Sequence, residues 1–226
     1  MKTRLRLEGI YCPETITHLE ERRIQDLGFD FRPKSLNFLQ HYKFLEILES
    51  NYCANKNYWL HFDNEHPDLI KKLIVDSKEV LAKHGATAEC LSLEFSDSKD
   101  AAYYDQFDSK FAWNFTDMEA LKKVIQAKNL SVLILPFTEI EHLQNTSKFH
   151  EFVASFHKTT FESLHKNKIK LALKADWDSN LFPSLFEFIK FDFCSVPVNK
   201  KVEKSFRQID YGKFDKNLDF YQNLDF

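Results

Sequence analysis

A short strand-like run, a polar turn and a helix-like segment follow one another eight times along this chain, and that alternation constrains the fold more than any other feature. The strand candidates are 3–8, 28–31, 58–63, 88–95, 111–116, 131–136, 169–175 and 190–195. Helix candidates fill 13–26, 39–50, 67–83, 98–107, 118–128, 147–166, 179–189 and, after the last strand, 215–224. Start signals accompany several of them: Pro13 at a first-turn position, Thr116 or Asp117 before "MEALKKVIQA", and Asp178 or Ser179 before "NLFPSLFEFI". Strands joined by helical crossovers run parallel, and eight such units in ~200–250 residues are the size of a closed (β/α)8 barrel. A flavodoxin-like open sheet is the runner-up. With four glycines and no Pro/Gly/Ser-rich linker in 226 residues, the expectation is one α/β domain over 1–226, a single (β/α)8 TIM barrel.

Alternation within the strands assigns their faces. Leu5 and Leu7, Phe29 and Phe31, Leu60 and Phe62, Leu91 and Leu93, Trp113 and Phe115, Leu133 and Leu135, Leu171 and Leu173, and Phe191 and Phe193 form one apolar set, expected to face the surrounding helices. The opposite parity then sends Arg4, Arg6, Glu8, Asp30, His61, Asp63, Ser92, Glu94, Asn114, Lys174, Asp176, Asp192 and Cys194 towards the lumen or its mouth. The barrel interior is therefore expected to be unusually polar.

Composition excludes several classes of partner. A formal charge of -3 and a pI near 6.3 leave no basic footprint for nucleic acid. Cys12, Cys53, Cys90 and Cys194 lie far apart without metal-type spacing, which suits free thiols in a reducing compartment and an expected cytoplasmic location. The N-terminus has no apolar signal-peptide core, and no run approaches the ~18 apolar residues of a membrane span, so no membrane partner is expected.

The stretch "LRLEGIYCPETITHLEERRIQDLGFDFRPKSLNF" resembles the start of the phosphoribosylanthranilate isomerase family, with Gly9, Gly28, Phe29, Phe31, Pro33, Lys34 and Ser35 matching its K-x-C-G, G-F-x-F and P-K-S-x-R elements. The tail "FDFCSVPVNKKVEKSFRQIDYGKFDKNLDFYQNL" is similar to the family's end, with Asp192 and Ser195 in the last strand and Gly212, Lys213 and Asp215 before the last helix. The resemblance implies a (β/α)8 barrel and, in active members, an intramolecular isomerisation in tryptophan biosynthesis.

The departures fall on the chemistry. Glu8 stands where the resemblance implies a cysteine base, Pro136 where it implies an aspartic acid at the end of the sixth strand, and Asn37 where it implies a substrate-holding arginine. The glycine turns that hold phosphate in the family read Ala175–Asp176 and Val196, and Asp176 would repel a phosphate dianion. Losing acid and base together removes a ~10²–10⁴-fold contribution. The expected function is a divergent isomerase-like barrel without that activity, repurposed for binding an unknown small molecule or protein. The alternative is an active sugar-phosphate or related isomerase, phosphoribosylanthranilate isomerase itself included, with Glu8 replacing the family's cysteine base.

Barrel enzymes place catalytic groups at the C-terminal rim. Candidate catalytic residues there are Glu8, Glu94 and Asp176; candidate substrate-binding residues are Arg6, Arg32, Lys34 and Lys174. The competing interpretation of the same charges is a salt-bridged network in which Arg6 and Lys174 neutralise Glu8 and Glu94, since buried charges need partners. "HFDNEH", with His61, Asp63, Glu65 and His66, reads as a solvated loop, because nothing fixes its ligand geometry as H-E-x-x-H would. Cys12, beside the helix begun by Pro13, is not expected to be reactive, and no metal or cofactor is expected.

Overall fold

The structure is a computed structural model that describes residues 4–224. Eight parallel strands pair in sequence order and close on themselves. They are β1 (Leu5–Glu8), β2 (Asp26–Asp30), β3 (Asn57–Phe62), β4 (Leu91–Phe95), β5 (Phe111–Asn114), β6 (Leu130–Pro136), β7 (Lys170–Lys174) and β8 (Phe193–Pro197). The outer layer comprises α1 (Pro13–Glu21), α2 (His41–Ser50), α3 (Pro67–Lys83), α4 (Ala101–Asp105), α5 (Met118–Val124), α6 (Phe137–Asn145), α7 (Phe149–Asn167), α8 (Pro183–Phe188) and α9 (Tyr211–Gln222). A small antiparallel hairpin, β9 (Glu203–Ser205) and β10 (Gln208–Ile209), follows β8. The fold is a (β/α)8 TIM barrel. No helix among the described residues is long and apolar enough to cross a membrane.

Helix starts follow local chemistry. Pro13 and Pro67 open α1 and α3, where a missing N–H leaves nothing unsatisfied. Asp117, one of two expected caps, accepts the Ala120 N–H at 2.8 Å and starts α5. Two starts differ from expectation. The Ser179 hydroxyl accepts from Asp176 N in a turn, so α8 begins only at Pro183. Asp210 caps α9, which begins at Tyr211, four residues earlier than the expected 215. Helix α6 and the hairpin are further additions to the sequence reading.

The apolar parity set packs between sheet and helices as expected on seven strands, with Leu7, Phe29, Leu60, Leu93, Trp113, Leu133 and Leu173 fully buried in the main core. Strand β8 is one residue out of the expected phase. Its register pairs Leu5 with Cys194 and Arg6 with Ser195. Cys194 therefore packs with the helix-facing core, while Phe193 turns into the lumen beside Trp59, Ala112, Val132, Ile134 and Ala172. Asp192 lies outside the strand, where its carboxylate accepts the Leu171 N–H at 2.7 Å. The reason is that apolar side chains at 191, 193, 194 and 196 occupy both parities, so alternation alone sets no phase.

The lumen is thus layered. Arg4 and Asp26 pair at 2.6 Å towards the N-terminal end, an apolar plug fills the middle, and charged groups gather towards the C-terminal mouth. Gly28 lets β1 and β2 close there: a Cβ at 28 would stand 3.1 Å from Glu8 Cα and from Leu7 O.

Candidate functional site

Arg6 is the hub of the mouth. It points inward from the middle of β1, is wholly buried, and lies with its guanidinium 5.2 Å from the Trp59 ring centroid. Its Nη2 donates to Glu8 Oε1, its Nη1 stands 2.9 Å from Glu94 Oε2, and its Nε donates to Ser195 Oγ at 2.8 Å. Ser195 passes the contact on, its hydroxyl donating to Glu8 Oε1 at 2.5 Å. Lys174, inward at the end of β7, places Nζ 2.5 Å from Glu8 Oε2 and 3.9 Å from Glu94 Oε1. Asn114 Nδ2 donates to Glu94 Oε1 at 2.6 Å. On β2, Asp30 accepts from Arg32 Nε and Nη2 at 2.9 and 2.6 Å.

This wiring sets the protonation states. Burial alone would raise the Glu8 carboxyl, but the Lys174 and Arg6 charges bring it well below the usual carboxylate range. Burial, aided by the Arg32 and Lys174 charges, holds His61 well below its ordinary value, so the imidazole is neutral at pH 7. Its Nε2 lies 2.6 Å from Ser96 Oγ and its Nδ1 3.4 Å from Glu94 Oε1. Three carboxylates, Glu8, Glu94 and Asp30, thus face three cations, Arg6, Arg32 and Lys174, around a neutral histidine.

Two of the three candidate catalytic residues come together. Glu8 and Glu94 line a cavity of about 270 Å³ with Arg32, His61, Lys174 and Asn37. Asp176 stands apart from it, its carboxylate accepting from Asn199 Nδ2 at 2.9 Å and Lys201 Nζ at 2.6 Å. Of the candidate binding residues, Arg6 lies beneath the cavity, Arg32 and Lys174 line it, and Lys34 is exposed and does not. "HFDNEH" disperses: His61 enters the lumen, Glu65 accepts from Asp63 N, and His66 caps α3. His61, Asp30 and Ser195 join the site although none was among the candidate catalytic or binding residues. Alternation sends His61 and Asp30 inward, whereas the misphased reading of β8 turns Ser195 outward and only the family resemblance singles it out. Cys12 sits 3.0 Å from Thr15 Oγ1 at the start of α1, outside the cavity lining.

One ligand atom each from Glu8, His61 and Glu94 lies within 4.8 Å of the others, a spacing a metal ion could bridge. Arg6 and Lys174 already balance both carboxylates, so the charge that would draw a divalent ion is offset.

Four amides in the turns after β7 and β8 are already occupied. Ala175 N donates to Ser195 O at 2.9 Å, Asp176 N to Ser179 Oγ at 2.8 Å, Trp177 N to Asp176 Oδ1 at 2.7 Å, and Val198 N to Glu8 O at 2.8 Å. The Trp177 indole closes over this region, donating to Pro197 O at 2.6 Å.

A phosphoribosylanthranilate isomerase from Thermotoga maritima superposes with a TM-score of 0.63 at 13% identity, covering 98% of this chain and 100% of that one. The chain has the phosphoribosylanthranilate isomerase fold. A second such isomerase, solved in complex with reduced 1-(o-carboxyphenylamino)-1-deoxyribulose 5-phosphate, gives a TM-score of 0.62 at 14% identity over 98% and 100% of the two chains. An HpcH/HpaI aldolase from Desulfitobacterium hafniense DCB-2 also matches, with a TM-score of 0.62 at 6% identity over 99% and 94%. No protein-family model and no curated protein matches the sequence. Against the phosphoribosylanthranilate isomerase pattern, Glu8 does end β1, and Pro136 ends β6 as the register partner of Lys174. Asn37 does not reach into the cavity as a free donor: its Nδ2 donates to Val198 O at 2.5 Å, bracing the β2–α2 connection against the segment after β8.

Proposed function

We propose that the chain is a phosphoribosylanthranilate isomerase-like barrel without that isomerase activity, repurposed to bind a small molecule at its C-terminal mouth. The observation that carries this reading is the state of Glu8. An effective general base has a pKa near the operating pH. Glu8 is instead held well below the usual range by direct contact with Lys174 and Arg6. Pro136, across the mouth, offers no proton for the acid role. The occupied amides after β7 and β8 further argue against a phosphate-bearing substrate.

The same pairing weighs against a sugar-phosphate isomerase that uses Glu8 as base. Incubating the purified protein with phosphoribosylanthranilate tests the reading directly, as does expression in a tryptophan auxotroph lacking that isomerase. No consumption and no rescue are expected. Turnover within a few orders of magnitude of an active isomerase overturns the proposal.

A further inference from the structure

The cavity above Glu8 does not end at the mouth. A second cavity, of about 350 Å³, adjoins it across Leu36, Asn37, Val198 and Asn199, which line both. The wall is a braced saddle, since Asn37 Nδ2 bonds Val198 O. Beyond the saddle the lining changes character. Phe206 stands there among Lys200, Glu203 and Lys204, and it and Leu36 on the shared wall have 71% and 76% of their surface exposed, among the largest exposures of any bulky apolar side chain described. Their backbones are held in place. Arg207 Nη2 donates to the Leu36 and Phe38 carbonyls, and Tyr11 OH donates to Glu203 Oε1 at 2.6 Å, tying the β9–β10 hairpin across the mouth.

On the inner side the charges are sorted by depth. The carboxylates lie underneath, with side-chain exposures of 9% for Glu8, 1% for Glu94 and 7% for Asp30. The cations lie on top, Lys174 at 24% and Arg32 at 31%. Although the charges balance, what meets an incoming molecule is positive. Arg32 Nη1 has no bond to Asp30, whose oxygens are taken by Nε and Nη2, and is left to donate.

We propose that this paired cavity binds an unphosphorylated carboxylate carrying an apolar tail, the head between Lys174 and Arg32 and the tail between Leu36 and Phe206. The inference rests on the ligand-binding reading above and names its ligand class. A single negative charge matches the two exposed cations. A phosphate dianion would bring twice that charge over Glu8 and Asp30.

Isothermal titration of the full chain with octanoate, acetate and octylamine tests it. Octanoate is expected to bind at least ~tenfold more tightly than acetate, because burying methylenes adds affinity stepwise. Octylamine is expected not to bind. Leu36→Asp and Phe206→Asp, both at exposed positions that need not disturb folding, should bring octanoate down to the acetate level. Lys174→Met should weaken both acids, with circular dichroism confirming that the variant is folded. Absence of octanoate binding, equal affinity for acetate, preference for octylamine, or indifference to both tail variants each overturns the ligand class. None of these results bears on isomerase turnover, whose detection would instead overturn the reading of the mouth as a repurposed site.

Discussion

The Lys174 ammonium lies 2.5 Å from Glu8 Oε2, while Arg6 holds the other oxygen of the same carboxylate. Two cations therefore share one acid, Arg6 from the same strand and Lys174 from across the β1–β8–β7 seam, and the Lys174 contact depends on the barrel being closed. Removing one member of a buried ion pair typically costs ~3–5 kcal/mol because its partner is left unpaired, against ~0–1 kcal/mol for an exposed pair. Here Arg6 retains Glu94 and Lys174 can turn outward, so Glu8→Ala is expected at the low end, about 3 kcal/mol. Urea denaturation of Glu8→Ala, Lys174→Met and the double variant measures this, and the double variant should lose less than the sum. A gain in stability for Glu8→Ala would contradict a structural role for the network.

The turns after β7 and β8 should stay empty of anions. After β7 the amides of Ala175, Asp176 and Trp177 already donate to Ser195 O, Ser179 Oγ and Asp176 Oδ1, after β8 the Val198 amide donates to Glu8 O, and the Asp176 carboxylate adds negative charge. Crystals grown from ammonium sulfate, or soaked in phosphate, are expected to show no ordered anion against Ala175, Asp176 or Val196. An anion on those backbone amides would refute the expectation.

Two buried groups should pull stability in opposite directions with pH. His61 has its pKa lowered by burial and by Arg32 and Lys174, so below its ordinary value of 6.5 the unfolded chain takes up a proton that the folded chain refuses. Stability then falls as pH drops, by at most ~1.4 kcal/mol per pH unit for one group. Asp97 is pushed up to about 6 by burial, against an ordinary 3.8. Between those values the folded chain holds the extra proton, so stability rises as pH drops. Melting temperatures from pH 7 to pH 5.5, above the range in which the lowered Glu8, Asp30 and Asp176 carboxyls respond, are expected to rise on acidification in His61→Gln, where Asp97 dominates. They should fall more steeply than wild type in Asp97→Asn. Superimposable profiles for the three proteins would contradict both assignments.

Gly28→Ala should destabilise by roughly 1–3 kcal/mol, the usual cost of forcing an extra methyl into a packed interior. The new Cβ would meet backbone rather than a yielding side chain, with Glu8 Cα and Leu7 O both at 3.1 Å. A thermal melt of the variant checks this. No change would mean that β1 and β2 can part without disturbing Glu8.

Most of the barrel was legible because its strands alternate cleanly. Leu5 and Leu7 against Arg6 and Glu8 admit only one way to face an apolar helix layer, and the structure follows it. Where both parities are apolar, as in "FDFCSV", the pattern carries no phase, and the inward orientation of Ser195, a residue the family resemblance names, was hidden by that degeneracy. Helix α6 was missed because only Phe137 and Ile140 of its nine residues are buried, too few to show a period. The hairpin was missed because strands of three and two residues have no pattern to read. The site was half legible. Charges on inward parity identified Glu8, Glu94, Arg6 and Lys174, but which acid meets which cation depends on strand stagger, which a linear sequence does not display.

The seam between β1 and β8 carries a consequence for how the chain comes to exist. Arg6 and Ser195 are 189 positions apart, yet they are hydrogen-bonded neighbours. A ribosome releases Arg6 long before it has made Ser195 or Lys174. Through most of synthesis, the guanidinium that ends up in the driest part of the lumen must remain hydrated, on an edge strand with an unfilled side. Chains of this size commonly pass through partly ordered states with exposed edges. Stalled nascent chains ending before residue 193 should accordingly be cut by trypsin at Arg4 and Arg6, and completed chains should resist. The chain from residue 193 onward thus converts a row of wet charges into the interior of a barrel.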